Sequence, residues 1–164
     1  SFSHTDTKAY EDSYIPKGDD YFTEDSVLED TDFFADVTVL SARLDSDSAH
    51  YTLRINSLVS KTGEESKTNI TIESSTPYIM QENREYFIPL RKENGTYSMA
   101  FENAPQIEIS LDGDIVFQNG WKSLDDDSGI LKDSQKSKND YFYDRMRYSS
   151  KNDLQDLLAK WRTM

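Results

Sequence analysis

Apolar and polar residues alternate along most of the chain between residues 33 and 117. Side chains of a β-strand point alternately to its two faces, so a period of two predicts strands with one buried face. The segments with this pattern are FFADVTVLSARL (33–44), YTLRINSL (51–58), NITIE (69–73), REYFIPL (84–90), YSMAF (97–101), IEIS (107–110) and DIVF (114–117). About seven short strands of this kind predict a mainly β fold, a small antiparallel barrel or sandwich.

The first strand changes its apolar face midway. Ala35, Val37 and Val39 mark one face of the strand, whereas Leu40, Ala42 and Leu44 mark the other. A bulge or a sharp coil near Val39 would produce this change, and a strand that passes from one sheet to the other favours the barrel. In a later strand, Pro89 has no N–H to donate, which predicts an edge strand or a position near the strand end.

The last two strands form a hairpin around the letters LDG. A three-residue loop of Leu111, Asp112 and Gly113, with the glycine in the left-handed region, sets Ile109 opposite Ile115. A two-residue Asp-Gly turn would instead set Ile109 against Val116 and mix the two faces. The sequence therefore favours the three-residue loop.

The chain divides into three parts. Residues 1–32 are rich in acids and tyrosine without a periodic apolar face, which predicts a flexible stalk or, alternatively, an acidic interaction arm, with the fold starting near Val27 and Leu28. Residues 33–121 are the predicted barrel. Residues 122–164 are a polar loop and an amphipathic C-terminal helix that packs on the barrel or docks on another protein; its apolar residues are Leu154, Leu157, Leu158 and Trp161.

The segment TPYIMQENREYFIPLRKENGTYSMAFENAPQIEISLDGDIVF, Thr76 to Phe117, resembles the second half of OB-like β-barrel domains in secreted proteins and lipoproteins of Gram-positive bacteria. In those domains a phrase of the type TPYLLKEGEEYLLFL precedes a hairpin and a final pair of strands. The resemblance covers about a quarter of the chain and departs at Asn83, where a glycine is usual. It implies an OB-like fold and an envelope location, and it assigns no binding or catalytic residue.

The charge excludes several classes of partner. The chain has 31 acidic and 18 basic residues, a net charge of −13, so its field repels nucleic acid and anionic lipid. It contains no apolar run of the length that a membrane-spanning helix needs, so we expect no direct membrane insertion by this segment. It also lacks cysteine, as is ordinary in bacterial envelope proteins. Because the chain opens on Ser1, we expect anchoring at the cell surface through a missing N-terminal segment.

No motif specifies a reaction, a metal or a cofactor. His4 falls in the acidic segment, and His50 sits beside a polar turn, where a hydrogen-bonded turn residue is commoner than a general base. Asp125, Asp126 and Asp127 are adjacent and cannot all point at one calcium ion, so a solvated loop is the preferred interpretation. The sequence therefore predicts no catalytic residue, no metal site and no cofactor.

Trp121 follows the last predicted strand. A tryptophan in this place most often caps the core, and an exposed platform for a sugar or a partner is the alternative. The strand pattern places Tyr86, Arg91 and Asn119 on the same rim of the predicted barrel as Trp121. These four residues form the candidate ligand-binding or partner-binding set.

These observations lead us to expect a non-enzymatic extracytoplasmic interaction or sensory domain of an anchored bacterial envelope protein. Its expected partner is another envelope or membrane protein. The first alternative is a module that binds a cell-wall glycan or polymer, with calcium offsetting the charge repulsion. The second is a hydrolase acting on glycans, which requires two carboxylates about 5 to 9.5 Å apart in a cleft.

Overall fold

The computed structural model describes residues 24–45, 48–74, 80–100, 107–117 and 151–164. All strand pairs in this part of the chain are antiparallel. The elements are α1 (Glu24–Asp30), β1 (Phe33–Leu44), β2 (Ala49–Ser60), β3 (Gly63–Glu64), β4 (Ile70–Ser74), β5 (Glu85–Glu93), β6 (Thr96–Met99), β7 (Ile107–Ile109), β8 (Ile115–Phe117) and α2 (Lys151–Arg162). The predicted fold class, mainly β with a C-terminal helix, is confirmed.

The strands form one curled sheet with β1 near its centre. The order is β3-β2-β1-β5-β7-β8, with β4 also paired to β2 and β6 also paired to β5. Strands β4 and β6 approach until some Cα atoms lie within 8 Å, yet no ladder joins them among the described residues. A cavity of about 750 Å³ lined by Thr71 of β4 and Thr96 of β6 separates them. The sheet is therefore not closed, which corrects the preference for a barrel.

Two irregularities bend the central strand pair. Leu40 of β1 and Asn56 of β2 each lack a partner in the register between these strands. Val39 is buried, whereas Leu40 is 39% exposed, and Ala42 packs on the same core as Val39 although it lies three residues later. The predicted change of face near Val39 is confirmed, because the unpaired Leu40 shifts the alternation by one residue.

The interpretation of Pro89 as a mark of an edge or a strand end is wrong. Pro89 is the middle residue of β5, which pairs with β1 on one side and with β6 and β7 on the other. The carbonyl of Pro89 accepts a hydrogen bond from Ala100 N at 3.0 Å, so its nitrogen faces the same side. On that side β5 pairs with β7 before Pro89 and with β6 after it. Neither neighbouring strand therefore requires a backbone N–H from Pro89.

The β7–β8 hairpin has the predicted three-residue loop. Ile109 pairs with Ile115, and Gly113 has a φ of 85°. Ser110 N donates to the carbonyl of Asp114 at 2.9 Å, which closes the loop. The register thus sets apolar residues opposite apolar ones, as the pattern required.

Two cores lie on the two faces of the sheet. The inner core is enclosed by the curl and contains Ala35, Val37, Val39, Ala49, Tyr51, Leu53, Ile55, Leu58, Ile70, Ile72, Met80, Tyr86, Ile88, Leu90 and Met99. The outer core lies under the helices and contains Val27, Leu28, Phe34, Val59, Phe87, Ile107, Ile109, Leu154, Leu157, Leu158 and Trp161. Helix α2 packs on this face of the sheet through Leu154, Leu157, Leu158 and Trp161. Helix α1, which falls within the range 1–32, contributes Val27 and Leu28 to this core.

Trp161 is the largest fully buried side chain of the outer core, and its ring meets Phe34 edge-on at 4.9 Å. We expect Trp161→Ala to lower the free energy of unfolding by about 3–5 kcal/mol, the usual cost of truncating a buried aromatic residue. Trp161→Phe should cost less, because the indole Nε1 has no hydrogen-bond partner to lose. Urea unfolding followed by far-UV circular dichroism measures both, with exposed Arg162→Ala as the control. Equal midpoints for Trp161→Ala and wild type would contradict this packing.

Candidate functional site

The outer face of the sheet has an apolar part and a polar part. Helix α2 covers the apolar part around Phe34 and Phe87, and it begins at Lys151, beside the polar part. The polar side chains come from three neighbouring strands, and we call them the polar cluster: Asp36, Thr38, Arg54, Asn56 and Glu85. Strand pairing holds them together, because Thr38 faces Arg54 across β1–β2 and Glu85 across β1–β5.

Neutral hydrogen bonds orient one half of the polar cluster. Asn56 Nδ2 donates to Asp36 Oδ1 at 3.1 Å and to Thr38 Oγ1 at 3.0 Å. Arg54 Nη2 donates to Thr38 Oγ1 at 3.2 Å, and its Nε donates to Asn56 Oδ1 at 3.4 Å. Within the described ranges, no carboxylate pairs with the Arg54 guanidinium. Its charge is thus held in a fixed orientation without being neutralised.

The other half is a pair of carboxyl groups. Asp36 and Glu85 hydrogen-bond to each other, and Lys151 Nζ lies 3.3 Å from Glu85 Oε2 and 4.0 Å from Asp36 Oδ2. Burial, followed by the neighbouring Glu85, raises the pKa of Asp36 to about 7, although Asn56 and Lys151 oppose the shift. Near neutral pH the pair therefore holds a proton that an exposed aspartate would have lost.

An ion pair between a half-exposed arginine and a buried glutamate lies at the adjoining edge, where β7 meets β5. Arg84 Nη1 donates to Glu108 Oε1 at 2.9 Å. Glu108 is 4% exposed, and its second oxygen, Oε2, has no hydrogen-bond partner. Buried carboxylate oxygens are normally satisfied, so an orphaned one marks a place where a donor is missing.

Every member of the polar cluster except Asp36 lines one open cavity of about 680 Å³, and so does this ion pair. Arg54, Asn56 and Glu85 contribute from one side, Arg84 and Glu108 from the other, and Leu111 of the β7–β8 loop also lines it. Leu111 is fully exposed. A volume within about 300–1,000 Å³ and mixed polar and apolar walls are typical of a site for a small organic ligand.

The candidate set from the sequence falls elsewhere. Tyr86 is buried in the inner core, where its hydroxyl accepts a hydrogen bond from Gln81 N at 2.9 Å and burial raises its pKa. Arg91 lies on the opposite face of β5, and its Nε donates to the carbonyl of Asp30 at 2.9 Å. Neither lines the cavity. Asn119 and Trp121 lie outside the described residues, so the grouping around Trp121 stays a prediction.

A matching pair of hydrogen bonds explains why Tyr86 is buried. Tyr51, which faces the same core, accepts a hydrogen bond from Met80 N at 3.0 Å, and burial raises its pKa to about 12. The two hydroxyls together anchor successive backbone amides of the chain that leads into β5. Tyr86 therefore has a structural role in positioning the residues that open the cavity.

The other sequence candidates form no metal site in the part that the structure describes. His50 Nε2 lies 2.7 Å from Asp45 Oδ2 and 3.3 Å from Ser48 Oγ, as expected of a hydrogen-bonded turn residue. Searching the described ranges finds no group of three histidine, cysteine or acidic residues able to hold a metal ion. His4 and the acidic run 125–127 lie outside those ranges.

The residues of the cavity carry no signal that could be recognised in the sequence. Thr38, Arg54 and Asn56 stand at alternate positions of strands, where polar residues are ordinarily solvated. Glu108 stands between two isoleucines, and this placement was the one signal of an unusual environment. A polar residue between two apolar ones in a strand ordinarily faces solvent, so the burial of Glu108 could be recognised only once the neighbouring strands were known.

No protein-family model matches the chain, and no curated protein matches it. Among the described residues, no helix is both long enough and apolar enough to cross a membrane.

The carboxyl pair makes stability depend on pH. Because the pKa of Asp36 in the fold, about 7, exceeds the ordinary value of 3.8, the folded state binds this proton more tightly than the unfolded chain does. This contribution is fully present below about pH 4 and is lost as the pH rises to about 7. Asp36→Asn should remove it, so the variant should be more stable than wild type at pH 8, with a smaller difference at pH 5.

Urea titrations between pH 5 and pH 8 measure this effect. Asp112→Asn is the matched control, since it makes the same change in charge at the exposed tip of the β7–β8 loop. If Asp36→Asn and Asp112→Asn shift the stability profile equally, the effect is one of net charge and the carboxyl pair is not its cause.

Proposed function

We propose that this protein is a non-enzymatic extracytoplasmic interaction or sensory domain of an anchored bacterial envelope protein, and that the cavity beside the polar cluster is its binding site. One observation carries the proposal. The cavity combines an oriented guanidinium that no described carboxylate pairs, that of Arg54, with the exposed apolar side chain of Leu111. Groups prepared in this way favour the binding of a complementary molecule.

The geometry of the acids supports binding over glycan hydrolysis. Glycoside hydrolases hold their two carboxyl groups about 5 to 9.5 Å apart, which leaves room for the sugar or for a water molecule. Asp36 and Glu85 hydrogen-bond directly to each other, and Lys151 contacts both. This direct contact leaves no room for a sugar or a water molecule between the two groups, and the proton that they hold is engaged within the protein.

The OB-like assignment and the envelope location rest on the resemblance over Thr76 to Phe117. Asn83, which stands where those domains usually have glycine, has a φ of 66°. After glycine, asparagine is among the residues that adopt this left-handed conformation at least cost, so the departure agrees with the same backbone. The curled antiparallel sheet around β1 supports the same proposal.

The charge favours a protein partner over an anionic wall polymer. With a net charge of −13, the domain would attract a partner that presents a basic surface, and it would repel polyanions unless a divalent cation bridged them. A calcium-dependent wall-binding module is therefore the second candidate.

A retention experiment tests the proposal. The purified domain is immobilised and incubated with solubilised envelope membrane proteins and, separately, with insoluble cell wall, each with calcium and with chelator. We expect one membrane protein to be retained regardless of chelator. Leu111→Ser should reduce its retention at least fivefold, because Leu111 is the exposed apolar side chain that lines the cavity. Leu44→Ser, at an exposed leucine outside the cavity, is the matched control.

Two results would contradict the proposal. Wall binding that disappears with chelator would favour the calcium-dependent module. Retention that is lost in a folded Trp121→Ala variant but kept in Leu111→Ser would move the binding site to the end of the last strand.

A further inference from the structure

We infer that the protein partner of this domain places a carboxylate in the cavity, where the guanidinium of Arg54 and the hydroxyl of Thr38 bind it. The inference rests on the proposed function, since it names the group of the partner that the same site recognises. It follows from the hydrogen bonds that these two side chains already make, from the donors that they keep, and from the balance of charge around the cavity.

Neutral side chains occupy one edge of the Arg54 guanidinium. Its Nε donates to Asn56 Oδ1 at 3.4 Å and its Nη2 donates to Thr38 Oγ1 at 3.2 Å. These nitrogens share one edge of the planar group, so the other edge, formed by Nη1 and the second hydrogen of Nη2, keeps its donors. Among the residues that the structure describes, none accepts a bond from Nη1. Two parallel N–H groups match the two oxygens of a carboxylate, and their fixed orientation reduces the entropy lost on binding.

The hydroxyl of Thr38 is also left as a donor. A threonine oxygen accepts two hydrogen bonds, and those of Thr38 come from Asn56 Nδ2 at 3.0 Å and from Arg54 Nη2 at 3.2 Å. Its own hydrogen remains to be donated, and Thr38 lines the cavity together with Arg54. A reversed amide of Asn56 would set its nitrogen against Arg54 Nε, donor against donor, so this pattern is fixed. An acceptor without hydrogens complements both residues.

The charges around the cavity balance except for that of Arg54. Glu108 pairs with Arg84, and Lys151 contacts the carboxyl pair. Below the pKa of Asp36, about 7, the carboxyl pair keeps a proton and has a single negative charge, which Lys151 offsets. Among the described groups that line the cavity and their ion-pair partners, one positive charge therefore remains, although the whole chain has a net charge of −13.

A carboxylate fits this balance better than a phosphate does. One positive charge neutralises a carboxylate, whereas a phosphate monoester has a charge of about −1.5 to −2 at pH 7. Thr38 pairs with Arg54 on one side and with Glu85 on the other, so the backbones of Arg54 and Glu85 lie about 10 Å apart on one face. The additional charge of a phosphate would be repelled by Glu85. The planar carboxylate also matches the edge of the guanidinium.

Two exposed side chains at the cavity favour a carboxylate that belongs to a protein surface. Arg54 is exposed, Leu111 is fully exposed, and both line the cavity, so the surface of a partner reaches them. An exposed ion pair alone contributes little affinity, and the apolar contact with Leu111 adds to it. The acidic domain attracts a basic partner, and a carboxylate within that basic surface is accepted at Arg54 and repelled by the acids elsewhere. The ion pair would thus fix the register of docking.

Titration with acetate tests the site without the partner. Sodium acetate, acetamide and sodium phosphate are added to the ¹⁵N-labelled full chain at pH 6.5 and constant ionic strength, and NMR follows the backbone amides and the arginine Nε–H signals. We expect saturable shifts at Thr38 and Arg54 with acetate, at least threefold weaker binding of phosphate, and no saturable shift with acetamide, which has the same shape without the charge. Absence of acetate binding, equal binding of acetamide, or tighter binding of phosphate overturns the inference.

Three variants assign the donors. Arg54→Gln should abolish the acetate shift at Thr38, and Arg54→Lys, which keeps the charge but loses the parallel N–H groups, should weaken acetate binding at least threefold. Thr38→Val removes the hydroxyl at nearly constant volume and should weaken it to a similar extent. Arg43→Gln, at an exposed arginine outside the cavity, is the matched control and should bind acetate like wild type. If circular dichroism shows that Thr38→Val does not fold, the two Arg54 variants decide. An unchanged acetate affinity in folded Arg54→Gln overturns the assignment.

The retention experiment shows whether the carboxylate belongs to the partner. Arg54→Gln should lower retention of the membrane protein at least fivefold, and Arg43→Gln should leave it unchanged. If acetate binds as expected but Arg54→Gln retains the partner like wild type, the site takes a free carboxylic acid and its assignment to the partner is wrong.

The results separate this inference from the proposed function. If Leu111→Ser weakens partner retention but acetate does not bind, the carboxylate is wrong and the interaction domain stands. If acetate binds with the expected selectivity and no membrane protein is retained, the proposed interaction is wrong and the donors of Arg54 and Thr38 bind a free acid.

Discussion

The architecture depends on the pairing of β1 with strands on both of its sides. Its first half pairs with β2 and β5 together, and beyond Thr38 only β2 remains a partner. The unpaired Leu40 lies where this change occurs and turns the second half of the strand. Because of that turn, the inner core closes on one face, while the other face stays flat enough to receive helix α2. Both cores, and the polar cluster between the helix and the sheet end, follow from this one strand.

Features that are set by neighbouring residues could be predicted from the sequence. The alternation identified the main strands, the shift of apolar positions located the irregularity at Leu40, and matching of apolar faces chose the loop that ends at Gly113. Pro89 shows the limit of such reasoning. Its missing N–H has no energetic cost, because β6 and β7 pair with different parts of β5 and Pro89 lies between those parts. No local sequence pattern reveals that one side of a strand pairs with two partners.

The cavity could not be predicted, because its members come together only through register. Thr38, Arg54 and Glu85 belong to three strands, and each stands at a position where a polar residue is unremarkable. A slip of one residue in any pair would turn one of these side chains to the other face. Tyr86 was assigned to a rim for the same reason, since its sequence position does not tell that its hydroxyl binds a backbone amide inside the core.

Helix α2 connects the stability of the domain to the state of its site. Its apolar residues complete the outer core, and its first residue, Lys151, contacts the carboxyl pair at the edge of the cavity. Glu85 belongs to that pair and also lines the cavity. A positive group of a ligand that approached Glu85 would favour loss of the shared proton, as Lys151 already does, because an opposite charge stabilises the ionised form. Ligand binding and proton release would then be linked, and the contact of Lys151 would strengthen as the pair gained charge. The same residues that cost stability at neutral pH thereby give a bound ligand a direct effect on how firmly the helix is held.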